Sequence, residues 1–214
     1  MKKDILSKLF GSTARVKVLR LFLSNPSYIF EKEEVLKRTR VEQALLNKEI
    51  KLLKDTNVIK EKTFTKEIIK KLKKGDKIIK KKVTGFILDE TFEYNKPLST
   101  LLLDTDSYSG KELKKRFDKT GKIKLIIASG VFLRDEDARL DILLVGDKLN
   151  LSAVESVVKI IESEIGRELS YATFVTSDFL YRYEMRDKLI YDVLDYDHDV
   201  VFQVNPISLN TKRK

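Results

Sequence analysis

Cysteine is absent from this 214-residue chain, and histidine occurs once, at His198. Without thiols there is no disulfide framework and no cysteine-based zinc site, a usage that fits a reducing, cytoplasmic compartment. The single histidine, in the run DYDHD, has no partner set for zinc or for acid–base catalysis and reads as a loop residue. No apolar run approaches the ~18 residues a membrane helix needs. The opening MKKDILSKLFGS has a basic start but no long apolar core and no small-residue cleavage site, so no signal peptide is expected.

Basic charge is abundant and unevenly placed. Residues 1–90 hold 24 Lys and Arg against 12 Asp and Glu, an excess of 12. The remaining residues hold 19 basic and 21 acidic side chains, an excess of 2 acids, which gives the net charge of +10. One strongly basic half joined to a nearly neutral one is the asymmetry expected of a nucleic-acid-binding module attached to something else.

The pattern within the basic half agrees. Ser12 is a candidate N-cap for a helix over Thr13–Leu23, with Val16, Leu19, Leu21, Phe22 and Leu23 as its core side. Asn25-Pro26-Ser27 stops that helix, because the residue before a proline is pushed out of the helical region. FEKEEVLKRTRVEQALLNKEIKLLKDTNVIK (30–60) then reads as a helix over Lys32–Lys37, a turn at Thr39-Arg40-Val41, and a second helix over Glu42–Lys54. Ala44, Leu46, Ile50 and Leu53 are assigned to the buried face of the second helix. Gln43, Asn47, Lys48, Lys51 and Lys54 are assigned to its polar face, with Glu42 and Glu49 the nearest acids. An ordinary amphipathic surface helix has the same pattern. In a DNA major groove, however, amides pair with adenine edges and lysines with guanines or phosphates.

Residues 58–88 alternate in the manner of strands, and Gly75-Asp76 suits a two-residue type II′ hairpin turn. Lys70, Lys71, Lys73, Lys74, Lys77, Lys80, Lys81 and Lys82 cluster towards its tip. Lysine on an edge hairpin also blocks strand-to-strand association. Beside a helix-turn-helix, this density favours phosphate contact. Three helices followed by a basic hairpin describe a winged helix-turn-helix. Base contacts then fall to Gln43, Asn47, Lys48 and Lys51. Phosphate contacts fall to Arg40, Lys54, Lys70, Lys71, Lys73, Lys74, Lys77 and Lys80.

Leu98–Leu103, opened by Lys96-Pro97, is a short apolar helix in a connector, too apolar for a free linker. Beyond the polar break at 104–110, element types alternate. A helix covers Lys111–Lys119, followed by strands over Lys122–Ala128 and Leu140–Val145. A helix capped by Ser152 runs to Ile165, then a strand over Leu169–Val175 and one helix from Asp178 to about Leu194. The expected organisation is α+β. Residues 1–90 form the winged domain, 91–108 a connector with a short helix, 109–204 a small mixed α/β domain, and 205–214 a flexible tail.

LIIASGVFLRDEDARLDILLVGD (125–147) resembles the core of the DNA polymerase beta-like nucleotidyltransferases. That resemblance implies a Gly-Ser pair beside a triphosphate and carboxylates holding two divalent metals for in-line phosphoryl transfer. Here the pair reads Ser129-Gly130, in reverse order, and either register of the Asp-x-Asp motif retains Asp141 alone. The later strand SYATFV (170–175) has no acid, and the loop acids Asp135, Glu136 and Asp137 read as a solvated turn. One carboxylate cannot hold two metals, so Ser129, Gly130 and Asp141 are read as a vestigial nucleotide site, with no catalytic residue, metal or cofactor expected.

Over residues 7–200 the chain is similar to small prokaryotic proteins that pair a winged helix-turn-helix with such a degenerate domain. LFGSTARVKVLRLFL (9–23) and the SGVF and DILLVGD segments carry that similarity. It implies a transcription regulator acting on double-stranded DNA, expected as a homodimer, with the second domain used for dimerisation or for a ligand or partner. Two other readings remain: an active nucleotidyltransferase whose winged domain recruits substrate, and a protein-interaction module of toxin–antitoxin type.

Overall fold

In the computed structural model the described residues are 5–72, 75–103, 109–135 and 137–209, with side chains of 68–78 outside the description. The chain is mixed α+β and divides into two compact units. One comprises Lys2–Thr105 and Glu162–Arg167, the other Asp106–Ile161 and Glu168–Lys214 together with Met1.

The first unit opens with α1 (Ile5–Leu9), α2 (Thr13–Ser24), α3 (Lys32–Thr39) and α4 (Gln43–Asp55). Ser12 caps α2 as expected, its side-chain oxygen accepting from the Arg15 amide at 3.1 Å. Val16, Val18, Leu19, Leu21 and Phe22 of α2 are buried. They form one core with Leu46, Ile50 and Leu53 of α4 and with Phe30 and Val35. Helix α5 (Asn95–Leu103) adds the fully buried Leu102 to the same core, while Leu101 remains exposed.

Strands β1 (Ile59–Leu72) and β2 (Gly75–Leu88) form an antiparallel hairpin of 14-residue arms. At ~3.4 Å per residue each arm extends about 45 Å. Its base is anchored by the buried Ile59, Ile87 and Leu88. Phe30 and Phe86 exchange both backbone hydrogen bonds at 2.8 Å, adding a third short pairing. Gly85 permits that approach, because a Cβ there would lie 2.7 Å from the Phe30 carbonyl oxygen. The turn is not at Gly75-Asp76. The register pairs Leu72 with Gly75 and Lys71 with Asp76, which leaves residues 73–74 between the strands. This register sets Ile68 opposite Ile79 and Ile69 opposite Ile78, whereas a turn centred on 75–76 would set Ile69 opposite Lys82.

Asp89 closes the base of the hairpin. Its Oδ1 accepts from the Thr91 hydroxyl at 2.8 Å, the Thr91 amide at 3.1 Å and the Lys60 ammonium at 3.1 Å. These hydrogen bonds, those from Thr91 foremost, hold its carboxyl below the usual aspartate range. A depressed folded value stabilises fully above the unfolded value of ~3.9, and the contribution fades as pH falls through the folded value. Asp89→Asn should therefore lower the melting temperature at neutral pH, with the gap closing as the pH is taken below ~3.9.

The second unit is built on a four-stranded sheet ordered β5-β4-β3-β6. Helix α6 (Gly110–Phe117) starts at a capping box of Ser109 and Glu112 and leads to β3 (Lys122–Ala128). A single 3-10 turn (Gly130–Phe132) and a loop separate β3 from β4 (Ile142–Asp147), which pairs with it antiparallel. Helix α7 (Leu151–Ile165) connects β4 to the parallel strand β5 (Tyr171–Phe174). Leu125, Ile126 and Ile127 of β3 and Leu143, Leu144 and Val145 of β4 are all fully buried, so both faces of the central strands are covered and their apolar runs are continuous rather than alternating.

Asn150 caps α7 in place of Ser152, its side-chain oxygen accepting from the Ala153 amide at 3.0 Å. The single helix expected over 178–194 is two, α8 (Thr176–Glu184) and α9 (Lys188–Leu194). Arg186 takes a positive φ between them, and the Asp187 carboxylate accepts from the Leu189 and Ile190 amides to start α9. Strand β6 (Asp199–Gln203), for which the sequence reading has no element, pairs antiparallel with β3. Residues 205–209 are not a free tail. Ile207 and Leu209 are buried in the core beneath the sheet with Phe179 and Ile190.

Candidate nucleic-acid interface

Helix α4 acquires its orientation from an acid on its inner side. Glu49, read from the sequence as bordering the polar face, is buried. It accepts from the Ser12 hydroxyl at 2.7 Å and from Arg15 Nε at 2.8 Å. Arg15 also donates to the Phe10 carbonyl at 3.0 Å, so one carboxylate ties α4 to the start of α2. The pairing links residues 34 and 37 apart in sequence, a separation that helical periodicity does not reveal.

With Leu46, Glu49, Ile50 and Leu53 inside, the opposite side of α4 faces solvent. Gln43, Asn47, Lys48 and Lys51 are all exposed. Among the described residues none of these four side chains is engaged in a hydrogen bond or ion pair. Ala44 is exposed as well, contrary to its expected place in the core. At ~100° per residue it lies roughly opposite the mean direction of the four buried positions, so the wheel excludes it from the core. The wheel was the signal that could have placed it.

Arg40 occupies the turn between α3 and α4 with φ +52°, its amide bonded to the Leu36 carbonyl, and its side chain is exposed. Lys54 is exposed and paired with Glu61. An open cleft of about 370 Å³ borders Asn47, Lys51 and Lys54, closed on its other sides by Lys32 and Phe86.

On the hairpin, Lys80, Lys81 and Lys82 are exposed. Lys80 lies 3.7 Å from Glu67, both well solvated. Lys66 pairs with Glu31, whose carboxylate holds the ammonium above the ordinary lysine range. The register sets Lys66 directly opposite Lys81 and Lys70 opposite Lys77. Like charges directly opposite across a ladder are destabilising, and at Lys66 the Glu31 carboxylate offsets that opposition. Lys70, Lys71 and Lys77 fall within the paired strands, but their side chains lie outside the description. Lys73 and Lys74 lie outside the described residues altogether.

In the second unit, Ser129, Gly130 and Asp141 come together, already bonded to the backbone. Ser129 donates its hydroxyl to the Leu140 carbonyl at 2.5 Å. Asp141 is buried, and its two carboxylate oxygens accept from the Val131 and Ser170 amides, each at 2.8 Å. Gly130 has φ +54°, and a Cβ there would overlap the Asp141 carboxylate. Asp135 accepts from the Asp137 amide at 3.0 Å, a local turn, and His198 Nδ1 lies 2.9 Å from the Tyr196 carbonyl oxygen. Among the described residues no group of three or more His, Asp or Glu side chains is placed to hold a metal ion. Among them, too, no helix is long and apolar enough to cross a membrane.

No family model matches the chain, and neither a curated protein nor a solved structure shows significant similarity to it.

Proposed function

We propose that the first unit is a winged helix-turn-helix that binds double-stranded DNA, and that the protein is a transcription regulator acting as a homodimer. The observation that carries this reading is α4. Its solvent side holds two amides and two ammonium groups that have no internal partner among the described residues, and its inner side is fixed by Glu49 and an apolar stripe. A rigid helix presenting unengaged amides and lysines matches the donor and acceptor pattern of base edges in a major groove. The hairpin arm, with its opposed lysines, supplies phosphate contacts and affinity that carry no sequence information.

The second unit is proposed to be a catalytically degenerate nucleotidyltransferase-like domain, used for dimerisation or for binding a ligand or partner. Asp141, the one acid retained from the expected motif, spends both carboxylate oxygens on backbone amides. Those bonds give Asp141 a part in shaping the loop after β3.

Arg40 tests the DNA reading with little risk to the fold. Its left-handed backbone favours glycine, so Arg40→Gly relieves roughly 1 kcal/mol of backbone strain. The variant should melt no lower than the parent, yet its affinity for random-sequence duplex should fall, with the salt slope shallower by about 1. Fluorescence anisotropy across a potassium chloride series measures both quantities. An unchanged slope would remove Arg40 from the interface, and the absence of any duplex binding at low salt would end the proposal.

A further inference from the structure

Ala44 is exposed rather than in the core, and that position has a chemical meaning. It lies on the second turn-forming position of α4, exposed, with Asn47 and Lys48 as its neighbours three and four residues on. Leu45 beside it is 44% exposed, an uncommon site for leucine at the start of an otherwise polar face. Resting on the DNA reading above, we infer that Ala44 reads a thymine methyl group, and that the start of α4 recognises A·T pairs.

Three features support this. The amino-terminal residues of a recognition helix are those that meet base edges. In the major groove the thymine C5-methyl is the one apolar group on a base edge, and alanine is among the side chains that contact it. Gln43 and Asn47, on the shoulder beside Ala44, carry the amides that pair with adenine N6 and N7, so methyl and amide contacts fall on the same kind of base pair. From Gln43 to Asn47 the helix rises about 6 Å, close to two base steps. The recognised element is therefore an A·T dinucleotide within each half-site. Lys48 and Lys51, further along the helix, then lie over flanking positions or phosphates. A side chain larger than alanine at position 44 would hold the helix away from the groove floor, which gives a reason for a small apolar residue on a face that is otherwise long and polar.

The test uses the full chain and a duplex library. Sites selected from random DNA should share an A·T dinucleotide in each half. Replacing the contacted thymine by deoxyuridine, which removes only the methyl, should weaken binding about fourfold. In Ala44→Gly, checked for folding by circular dichroism, thymine and deoxyuridine duplexes should bind equally. Equal affinity of the parent chain for the two duplexes would overturn the inference, as would a deoxyuridine penalty that persists in Ala44→Gly or selected sites lacking A·T pairs. In each of those cases DNA is still bound and the broader reading stands. Failure to bind any duplex overturns both together.

Discussion

Alanine in place of Asp141 is expected to cost about 2 kcal/mol, because the half-buried Val131 amide and the exposed Ser170 amide lose a charged acceptor that water replaces only in part. The carboxylate joins Val131, just after β3, to Ser170, just before β5, and so closes three segments of the second unit around one side chain. Hydrogen exchange is the direct readout. Protection of the Val131 and Ser170 amides should drop by more than one order of magnitude, at 1.36 kcal/mol per decade. Asparagine does not rescue, since its amide group would turn N–H towards one of the two donors. DNA binding by the first unit should be unchanged. If Asp141 were instead a metal ligand in a working enzyme, Asp141→Ala would abolish magnesium-dependent incorporation of labelled nucleotide with little change in stability. The account predicts no such incorporation by the parent chain.

The largest effect on binding is expected from salt. If Arg40, Lys54 and the exposed hairpin lysines Lys80, Lys81 and Lys82 together neutralise about five phosphates, log K falls with log salt at a slope near −4.5. Taking potassium chloride from 50 to 200 mM then weakens duplex binding by about 10³. Replacing Lys80, Lys81 and Lys82 together by glutamine should flatten the slope by about 3 and weaken all sequences alike. The fold should not suffer. The Lys80–Glu67 pair is solvated and contributes little, and removing Lys81 relieves its opposition to Lys66. A triple variant that binds random duplex with the parental slope would take the hairpin out of the interface.

Much of the first unit was legible because its signals are local. Ser12 before an apolar-periodic run fixed the start of α2, and Pro26 fixed its end. The spacing of Leu46, Ile50 and Leu53 set the phase of α4. What local patterns missed was tertiary. Glu49 looks like one more surface acid until Ser12 and Arg15 arrive from α2. Ala44 was drawn into the core by residue type, although its angle on the helix opposes it. Gly75-Asp76 has ideal turn chemistry, yet both residues lie within the ladder, paired with Leu72 and Lys71, and a register is a property of both strands that a dipeptide does not announce.

In the second unit the strands of the sheet interior were readable as continuous apolar runs, and β3 matches its expected bounds. The edge strand β6 was not, because Asp199–Gln203 is short and follows an acidic run that reads as loop. The division of 178–194 into α8 and α9 depends on Arg186 taking the left-handed conformation, which its residue type does not announce. The site residues Ser129, Gly130 and Asp141 were found in the sequence by resemblance. Their bonding to the backbone is visible only in three dimensions.

The most direct test of the central claim compares the full chain with a Gln43→Ala, Asn47→Ala double variant on two duplexes, a selected site and its shuffled sequence. Both side chains are exposed, so the variant should fold as the parent does. The account predicts that the parent prefers the selected site and that the variant loses that preference, at a cost of ~1–3 kcal/mol for each bidentate contact, while binding the shuffled duplex as the parent does. A variant that keeps the full preference, or a parent chain that does not distinguish the duplexes, would contradict it.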